Sequence, residues 1–567
     1  MKTLNLHCDY IKFKALKKAL KQIEEISPNQ ELVGESKECL VVLTAIEKND
    51  NTKESIELLI KDIENILSQL QTKNIVLYPY AHLSKNLGNP QIAIEILEKT
   101  YSILKEKYNV IKAPFGYYKQ FELKVKGHPL SELSREININ EEKQEEISEK
   151  LREQFLKDIS KSKLDTSKLK ENDHRIIGKK MDLWSFNPVA PGMVFWHNKG
   201  LKIKNNLIKL WRELHREADY QEISTPQVMD RKLWEISGHW SKYGENNFKT
   251  NYEGRDFIVK PMNCPGGMLV YKTSPKSYKD LPLRVGEIGT VHRVELSGVL
   301  AGLFRVIQFN QDDAHIFCTE EQLEKEVKAI IELINKTFSY FKLEFDHVEL
   351  STRPEKRIGN DKIWDLSEKA LENILIKTKM KYTINKGDGA FYGPKIDFHL
   401  KDSLNRTWQC STIQLDMALP ERFDLTYTDE SGNEKRPIML HRVIYGSIER
   451  FIGIITEHLN GKYPLWLSPN QIKVLTLNDN TKEYANQIYK KLFDEGFEVE
   501  IDERNETMNK KVRDAQIQRY NYILTIGEKE LKESKIAIKK RDEKEIQIIS
   551  IEEFIKIIKE EIKQRKN

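Results

Sequence analysis

The chain has 567 residues, a hydrophobic fraction of 39%, a charged fraction of 32% and a net charge of +5. This length predicts three or four domains with cores of their own, and so small a charge permits nucleic-acid binding only where lysine and arginine cluster on particular faces. No apolar run approaches the roughly 20 residues that span a bilayer, and the opening MKTLNLHCDYIKFK lacks the apolar core of a signal peptide. The five cysteines are scattered and never form a CxxC pair, which argues against a disulfide framework and predicts a reducing, cytoplasmic location.

Residues 1–138 are predicted to form a compact α/β unit. The predicted helices cover 54–70 and 89–107, and the predicted strands cover 40–46, 74–80 and 116–126. Three segments place a histidine, lysine or glutamate beside a turn or a strand end, where catalytic groups often lie. For a lone histidine such as His82, a structural role is the alternative. The three segments are PYAHLS from Pro79, PFGYYK from Pro114 and GHPLSELS from Gly127.

Residues 139–180 are rich in lysine and glutamate and poor in aromatic residues, with one predicted helix near 141–158. We interpret them as a charged helical linker, with a solvated helix that contacts nucleic acid as the alternative. From Met181 onward aromatic residues crowd together, as is typical where a large core begins. A predicted helix at 199–219 is followed by a strand that Pro226 closes.

A β-hairpin with a loop of small residues is predicted from strands at 288–292 and 304–309, the second strand ending before the polar run QDDAH. Period-two alternation places Arg293 and Glu295 on one face, with Arg305 facing back from the second strand. Two arginines and a carboxylate around a flexible loop suit a triphosphate, because the guanidinium fork grips phosphate and keeps its charge. On spacing alone, a surface hairpin with an ordinary Arg–Glu pair is an equal alternative.

The rest of the chain alternates long strands and helices. A helix is predicted at 319–345, DGAFYGPKIDFHL and TWQCSTIQLDMALP are predicted as paired strands, and residues 438–458 as a strand leading into a helix. No GxxxxGK[ST] phosphate loop occurs in the sequence. Past Pro469, the β-like runs QIKVLTL, FEVEI, YILTI and KIAIK alternate with helices such as 481–495, which Gly496 can cap. This pattern predicts a mixed-sheet α/β domain at the carboxyl end.

Several of these motifs together resemble one family. Arg-x-Glu, a loop and a returning Phe-x-Arg resemble motif two of class II aminoacyl-tRNA synthetases, and FNQDDAHIFCTEEQ is similar to its threonyl-tRNA synthetase version. The helix and strand before Pro226 resemble motif one, which forms the dimer interface, and GSIER from Gly446 resembles motif three. Residues 1–138 resemble the editing domain of archaeal threonyl-tRNA synthetases, itself similar to D-aminoacyl-tRNA deacylases; the His-x-x-x-His of the bacterial editing module is absent from the sequence.

The resemblance implies a multidomain α/β (α+β) fold. The expected parts are an editing domain at 1–138, a charged helical linker at 139–180, a catalytic domain with an antiparallel sheet at 181–466 and an anticodon-binding domain at 467–567. It also implies a homodimer that activates L-threonine with ATP and Mg²⁺, transfers it to tRNA(Thr), and hydrolyses mischarged Ser-tRNA(Thr). The alternatives are a catalytically inactive tRNA-binding regulatory paralogue and a synthetase for serine or proline.

At the synthetic site, the resemblance assigns the positions that hold ATP. Like-charge repulsion between the carboxylate and the phosphates is the main barrier, and positioned cations lower it. Arg293 is expected to bind the α-phosphate and the substrate carboxylate, and Arg450 the far phosphates. Ile307 stands where bacterial relatives are expected to have a second basic residue. The expected catalytic residues are Arg293, Arg450 and Lys395, and the expected ATP-binding residues are Arg293, Glu295, Arg305, Phe309, Gln409 and Arg450.

For threonine, the resemblance implies one zinc ion per chain, whose expected ligands are Cys264, His315 and His441. Spacing alone does not predict this site, since no two of the three are close in sequence. Three protein ligands leave positions open, which in the family the amino and hydroxyl groups of threonine fill. A site built for a hydroxyl rejects valine by roughly 10⁴-fold or more. The other expected threonine contacts are Gln311, Asp313, Tyr392 and Gln414, and Gly267 departs from the histidine usual in bacterial sequences.

Serine lacks only one methyl group, which is worth on the order of 10–200-fold, so a second, hydrolytic site is expected. There the resemblance treats Lys119 as an electrostatic and water-positioning group. Anticodon contacts are expected in the last domain, where lysine replaces the bacterial arginine at 539 and Arg541 is an alternative donor. The expected editing residues are His82, Tyr118, Lys119 and Glu132, and the expected anticodon contacts are Asn505, Glu530 and Lys539.

Overall fold

The computed structural model describes residues 1–20, 33–48, 50, 52–70, 72–137, 155–157, 169–240 and 247–566. These residues divide into two compact units, Met1–Lys157 and Asp158–Asn567. The helix predicted near 141–158 lies outside the described residues except for 155–157, which are helical. No helix in the described ranges is both long enough and apolar enough to cross a membrane.

The described residues of the first unit up to 137 form a six-stranded sheet and two α-helices. Its strands are Lys2–Lys18 (β1), Val33–Ala45 (β2), Asn74–Pro79 (β3), Asn109–Lys112 (β4), Tyr117–Val125 (β5) and Glu132–Glu136 (β6), and its helices are Thr52–Leu70 (α1) and Pro90–Lys105 (α2). Both predicted helices and the three predicted strands are confirmed. Asn89 caps α2 by accepting the N–H of Gln91, and Pro90 occupies the first turn.

The strand order in this unit is β4-β3-β2-β1-β5, with β6 also pairing with β1. β2, β3 and β4 are parallel, which requires crossover connections, and α1 and α2 provide them. Both helices pack on one face of the sheet through residues such as Leu59, Ile63 and Ile96. The other face has a separate core that includes Phe13 and Tyr78. The central strand β1 was not predicted.

The second unit begins with a large α/β body. Its helices are His174–Lys180 (α3), Asn198–Glu217 (α4), Arg231–Ser237 (α5), Cys264–Tyr271 (α6), Leu323–Ser339 (α7), Asp361–Lys377 (α8), Leu419–Arg422 (α9) and Ile448–His458 (α10). Its strands are Trp184–Ser185 (β7), Phe195–Trp196 (β8), Gln221–Glu222 (β9), Val228–Asp230 (β10), Lys249–Tyr252 (β11), Arg255–Val259 (β12), Leu283–His292 (β13), Gln308–Cys318 (β14), Glu344–Ser351 (β15), Thr383–Asn385 (β16), Lys395–Lys401 (β17), Thr407–Asp416 (β18), Tyr427–Thr428 (β19), Glu434–Lys435 (β20) and Ile438–Val443 (β21).

Eight of these strands form one sheet in the order β16-β15-β17-β18-β21-β14-β13-β9. The central pairings are antiparallel, while β9 and β16 join the edges in parallel. One face packs against helices that include α4, α7 and α10 through buried residues such as Leu207, Ile334 and Phe451. In β17, Ile396 and Phe398 point into this core, so the alternate residues lie on the opposite, open face.

Three predicted boundaries in and next to this sheet were wrong. The returning strand of the hairpin is 308–318 and not 304–309, because residues 302–304 form a short 3₁₀ turn and the N–H of Leu303 donates to His174. The helix predicted at 319–345 ends at Ser339, and Lys342 with φ 51° turns the chain into β15. The strand predicted before Pro226 is β9, which ends four positions earlier at Glu222.

The carboxyl-terminal part of the second unit is a five-stranded mixed sheet. Its strands are Ile472–Thr476 (β22), Val499–Asp502 (β23), Tyr522–Ile526 (β24), Ile536–Lys540 (β25) and Ile546–Ile549 (β26), and its helices are Lys482–Asp494 (α11), Met508–Ile517 (α12), Glu528–Glu533 (α13) and Ile551–Lys563 (α14). The order is β23-β22-β24-β25-β26, with the first three strands parallel and the last two antiparallel. The predicted mixed sheet is confirmed, and Gly496 follows α11 with a left-handed φ of 84°.

Candidate active site

A buried carboxylate joins the centre of the sheet to the start of α10. Asp312, on the core side of β14, accepts the backbone N–H groups of Ile444 (3.0 Å), Tyr445 (3.1 Å) and Gly446 (2.9 Å). Burial raises the pKa of Asp312 to about 7, against the opposing effects of Arg442 and these N–H groups. The loop between β21 and α10 therefore has a fixed path, which determines where α10 begins.

A second carboxylate strengthens the same joint. Glu449, in the first turn of α10, accepts the N–H of Asn310 at 2.8 Å and forms an ion pair with Lys204 of α4 at 2.9 Å. Its side chain is 2% exposed, so this pair is shielded from solvent. Strand β14 and helices α4 and α10 are thus tied at one point.

Above this joint is a cavity of about 270 Å³ on the open face of the sheet. Arg293 donates to the carbonyl of Pro261 at 3.1 Å and lies 5.3 Å from the ring centre of Phe309. Arg450 donates to the carbonyl of Phe304 at 2.9 Å, and burial lowers its pKa. The predicted ATP-site and threonine-site residues that line this cavity are Arg293, Glu295, Arg305, Phe309, Gln311, Gln409 and Arg450.

Glu295 and Arg305 form an ion pair of the kind that the alternative interpretation, a surface hairpin, contained. Two guanidinium nitrogens of Arg305 lie 3.2 and 3.0 Å from one carboxylate oxygen of Glu295. Both residues also line a second, adjoining cavity of about 650 Å³ that Arg293 and Tyr392 share. The departure at Ile307 has a structural explanation. Its side chain is buried, its N–H donates to the carbonyl of Gly192, and it lines neither cavity.

Four predicted residues form one row across the sheet. Lys395 on β17 pairs with Gln414 on β18. Gln414 in turn pairs with His441 on β21, and His441 pairs with His315 on β14. The register of four strands, rather than nearness in sequence, brings these side chains together. All four lie on the open face.

Cys264 adds a thiol to this row. The ligand atoms of Cys264, His315 and His441 all lie within 4.8 Å of one another, and the three residues are buried. His441 Nε2 lies 2.8 Å from the buried Asp416 carboxylate, which orients the ring and leaves Nδ1 available as a ligand. Burial raises the pKa of Cys264 and lowers that of His315. One sulfur and two imidazole nitrogens are a donor set that fits zinc.

Three further features fit the predicted substrate pocket. Asp313 accepts from Asn263 at 2.6 Å, and burial raises its pKa to about 6. A side-chain carbon at Gly267 would lie only 3.1 Å from His315 Nδ1, so the glycine allows close approach of α6 to this ring. Tyr392 lies beside His441 with ring centres 5.2 Å apart.

Lys395 meets a buried acceptor that was not predicted. Asp397, 1% exposed, forms an ion pair with Lys395 and accepts from Ser351 (2.8 Å), Gln409 (2.6 Å) and Thr412 (2.7 Å). Four donors on one carboxylate hold Lys395 and Gln409 in place. Sequence alternation along β17 gave a usable signal, since Asp397 is two positions from Lys395 and therefore shares its face.

The first unit contains a separate cluster around Lys119. Its ammonium donates to the carbonyls of Pro114 (2.8 Å) and Tyr117 (3.2 Å) and lies 5.0 Å from the ring centre of Tyr78. Burial lowers the pKa of Lys119 to about 8. A lysine that titrates near neutral pH is common at functional sites.

The other predicted editing residues are not all brought to Lys119. Exposed His82 contacts Tyr80, with ring centres 5.4 Å apart, and Tyr80 belongs to the same apolar core as Tyr78. Tyr118, the neighbour of Lys119, is 63% exposed. Glu132 is exposed and pairs with Leu6 of β1, whereas Lys119 pairs with Ala15.

The predicted anticodon residues occupy two ends of the last sheet. Asn505 follows β23 and Glu530 lies in α13 after β24, at the carboxyl ends of the two parallel strands that flank β22. Glu530 also accepts the N–H of Gly527 at 3.0 Å. Lys539 pairs with Ile523, near the amino end of β24.

Arg541 is committed to the fold. Its guanidinium donates to the carbonyls of Lys462 (3.0 Å), Tyr463 (2.7 Å) and Arg519 (3.0 Å), and burial lowers its pKa. The suggestion that Arg541 replaces Lys539 as an anticodon donor is therefore not supported by its position.

Three family models match the chain. They are "Archaea-specific editing domain of threonyl-tRNA synthetase" over residues 1–137, "tRNA synthetase class II core domain (G, H, P, S and T)" over 248–459 and "Anticodon binding domain" over 471–561. Together with the fold, these matches place the chain among the class II aminoacyl-tRNA synthetases.

Individual relatives narrow the class. Threonine–tRNA ligases of Carboxydothermus hydrogenoformans and Clostridium tetani are 51% and 50% identical over 397 and 396 residues, in each case 70% of this chain and 62% of the relative. The crystal structure of the RNA-binding domain of threonyl-tRNA synthetase from Cryptosporidium parvum Iowa II aligns with a TM-score of 0.67 and 40% identity, covering 68% of this chain and 98% of that one. The chain belongs to the threonyl-tRNA synthetase family, and the alignments span 62% of the length of these two curated relatives.

Replacing the buried acceptor of the joint should destabilise the second unit. In Asp312→Asn, one carboxylate oxygen becomes an NH₂ that faces backbone donors, and an unsatisfied buried group costs about 1–3 kcal/mol. We expect a lower urea midpoint for this variant. Asp424→Asn, in an ion pair where the Asp424 side chain is 75% exposed, is the matched control and should change little. Equal midpoints for the two variants would contradict the importance of the joint.

Proposed function

We propose that the protein is a threonine–tRNA ligase. It activates L-threonine with ATP, transfers it to the 3′ end of tRNA(Thr), and hydrolyses mischarged Ser-tRNA(Thr) in its first unit. The observation that carries the proposal is the cavity where Arg293 and Arg450 converge, beside the cluster of Cys264, His315 and His441. The names of the similar proteins agree with this activity.

Adenylate formation needs cations in fixed positions, since a carboxylate must approach a phosphate of like charge. Arg293 is held by the Pro261 carbonyl and the Phe309 ring, and Arg450 by a backbone carbonyl. Both guanidiniums are therefore ordered before substrate arrives. Arg293 suits the α-phosphate and the substrate carboxylate, Arg450 the far phosphates, and Mg²⁺ enters with ATP.

The same cavity has groups suited to adenine and the remaining phosphates. We propose that Glu295 accepts from the adenine amino group, that Phe309 covers one face of the base, and that Arg305 contacts the triphosphate. Arg305 is already paired with Glu295, so nucleotide binding is expected to share or replace that pair. Lys395 and Gln409, both held by Asp397, complete the set of cationic and polar groups.

Threonine selection is proposed for the pocket next to Arg293. Zinc bound there supplies a Lewis acid with open coordination positions for a hydroxyl and an amine. Asp313 supplies a carboxylate for the substrate ammonium, and the buried Asp416 holds the His441 ring in one orientation. Gln311, Gln414 and Tyr392 are proposed as the remaining contacts. Valine fits by shape but offers no oxygen, which leaves the polar groups of the site unsatisfied.

Serine has the hydroxyl, so its rejection is proposed for the first unit. The Lys119 ammonium is fixed by two carbonyls and an aromatic ring, and its position suits stabilisation of the negative charge that develops when an ester is hydrolysed. We propose His82 and Tyr118 as neighbouring contacts for the aminoacyl end. Glu132 has the weakest support, because it pairs with a different part of β1.

The remaining parts concern tRNA and assembly. We propose that Asn505 and Glu530 contact the anticodon from one edge of the last sheet, with Lys539 as a more distant phosphate contact. A homodimer through α4 and the segment up to Pro226 is supported by the resemblance to motif one. A reducing cytoplasm is supported by five cysteines that are all buried free thiols. The inactive paralogue finds no support, since the motif arginines and the three ligands are present.

Charging assays with three amino acids test the proposal as a whole. Full-length protein with ATP and tRNA(Thr) should form Thr-tRNA, should form stable Ser-tRNA at a much lower level, and should use valine roughly 10⁴-fold less efficiently than threonine. The measurement is acid-stable aminoacyl-tRNA with each labelled amino acid. Preferential charging with serine or proline would contradict the proposal and show that the enzyme is specific for another amino acid.

Removing a zinc ligand should remove one metal ion and the activity together. Cys264→Ala and His315→Ala should each lose one zinc per chain by elemental analysis and should lose threonine activation. Cys318→Ala, which also removes a buried thiol but lies outside the cluster, should keep both. Unchanged zinc content in the two ligand variants would refute the assignment.

The editing proposal predicts a separable effect of Lys119. Lys119→Met should leave threonine charging largely intact while Ser-tRNA accumulates, with hydrolysis slowed by about 10²-fold. Because the pKa of Lys119 is lowered to about 8, its cationic form is lost as pH rises through that value. The ratio of wild-type to Lys119→Met hydrolysis should therefore fall above pH 8.

Two matched variants make the test specific. Lys119→Arg keeps the cation, so its advantage over Lys119→Met should persist above pH 8. Lys124→Met changes a lysine on the same strand whose side chain is 68% exposed, and it should behave as wild type. Normal editing by Lys119→Met would require another role for the cluster.

A further inference from the structure

A second group of metal-type ligands lies on the open face, away from the row that ends at His315. In the described part of the chain, the ligand atoms of His347, Glu349 and His399 lie within 4.8 Å of one another. His347 and Glu349 come from β15 and His399 from β17. None of the three belongs to the residues proposed for threonine, ATP or tRNA.

The sheet register explains why the three side chains meet. His347 stands opposite His399, and Glu349 is two positions further along β15, so all three share one face. The imidazole rings stack with centres 4.2 Å apart and 11° between their planes. His347 Nε2 is 3.4 Å from one Glu349 oxygen and His399 Nε2 is 3.5 Å from the other. Both Nε2 atoms therefore point toward the same carboxylate.

The two separations between Nε2 and carboxylate oxygen are close to those between ligands of one small ion. Bonds of roughly 2.0–2.1 Å in tetrahedral geometry place neighbouring ligand atoms about 3.3 Å apart. The side chains of His347, Glu349 and His399 are 37%, 22% and 17% exposed, so water can reach the remaining coordination positions.

Hydrogen bonding leaves electron pairs without donors in this group. His347 Nδ1 lies 2.7 Å from Asp346, which also accepts from Thr407 at 3.2 Å, so a neutral His347 carries its proton on Nδ1. Its Nε2 lone pair then faces the Glu349 carboxylate. His399 Nε2 is buried and has no hydrogen-bond partner. A cation bound between these atoms would offset the repulsion between the His347 lone pair and the Glu349 carboxylate.

A third group of similar composition shows the contrast. Asp173, His174 and Glu457 also have ligand atoms within 4.8 Å. There, however, His174 Nδ1 is 2.6 Å from Glu457 and Nε2 accepts the N–H of Leu303 at 3.0 Å. Both ring nitrogens are satisfied by protein, so this group is a structural contact between α3, α10 and the motif-two loop.

We propose that His347, Glu349 and His399 bind one divalent transition-metal ion of the zinc class. Two imidazoles and a carboxylate favour Zn²⁺, Co²⁺ or Ni²⁺ over Mg²⁺ or Ca²⁺, which prefer oxygen ligands. Asp346 orients His347, and Asn385 donates to Glu349 at 3.0 Å, as carboxylate and amide groups behind metal ligands commonly do. The site joins β15 to β17 and adjoins Asp397, which stands opposite Glu349.

Cobalt titration of the full-length, metal-stripped protein distinguishes the two sites. Co²⁺ bound at Cys264 gives a thiolate-to-cobalt charge-transfer band, whereas Co²⁺ bound by two histidines and a glutamate gives only d–d bands. We expect wild-type protein to bind one ion of the second kind per chain. His399→Gln and Glu349→Gln should lose that ion and retain any thiolate band, so the result does not depend on the proposed function.

The control variant is on the same strand, β15. Glu344→Gln removes an exposed carboxylate of β15 outside the cluster and should bind cobalt as wild type does. If His399→Gln fails to fold by circular dichroism, the more exposed His347→Gln gives the answer. The proposal would be overturned if wild-type protein bound no cobalt ion apart from the one with the thiolate band. It would also be overturned if the second ion were still bound in His347→Gln and Glu349→Gln. In either case a proton shared between the side chains would be the cation of this cluster.

Discussion

The candidate active site depends on one buried carboxylate. Asp312 accepts three consecutive backbone N–H groups, and these bonds fix the loop from which α10 starts. Arg450 lies in the first turn of α10, so its place in the cavity follows from this joint. One carboxyl group that accepts several backbone donors makes a strong joint, and each donor left unpaired in the interior would cost free energy. The neighbouring Glu449 ties the same turn to Lys204 of α4.

The alternation of side chains along each strand puts the packing residues on one face of the sheet and the candidate functional residues on the other. On β14, Asp312, Ala314 and Ile316 point into the core, so Gln311, Asp313 and His315 must lie on the open face. The same rule on β17 separates Ile396 and Phe398 from Lys395, Asp397 and His399. Because neighbouring strands are in register, these alternating residues form rows across the sheet. One such row contains Lys395, Gln414, His441 and His315. Another contains His347 and His399.

Much of the fold was predictable where local signals were strong. The helix at 89–107 was predicted from an apolar stripe and the capping residue Asn89, and the last domain from four β-like runs. The hairpin strand was misplaced because residues 304–309 look extended, while His174, far away in sequence, bonds to Leu303. The end of α7 was missed because no glycine or proline marks it. Strand β1 was missed although its sequence has the right signal, since buried Ile11 and Phe13 alternate with exposed Lys12 and Lys14.

The site was predictable mainly through resemblance. Spacing alone gave no reason to join Cys264, His315 and His441, since only the sheet register and α6 bring them together. Three carboxylates that hold the expected residues in place were missed, namely Asp312, Asp397 and Glu449. Their roles depend on hydrogen bonds to residues that are distant in sequence. Alternation did contain part of the signal, as it places Asp312 and Asp313 on opposite faces. The position of Glu132 relative to Lys119 could not come from sequence at all.

The most direct test of the account is threonine-dependent exchange of pyrophosphate into ATP. The central claim is that Arg293 and Arg450 hold one nucleotide beside the Cys264, His315 and His441 cluster. Wild-type protein should show exchange that threonine stimulates, and Arg450→Ala should lower it by about 10²–10³-fold or more without changing the fold, because an ordered charge in a water-poor site is worth several kcal/mol. Near-normal exchange by a folded Arg450→Ala protein would contradict the account and place the nucleotide elsewhere.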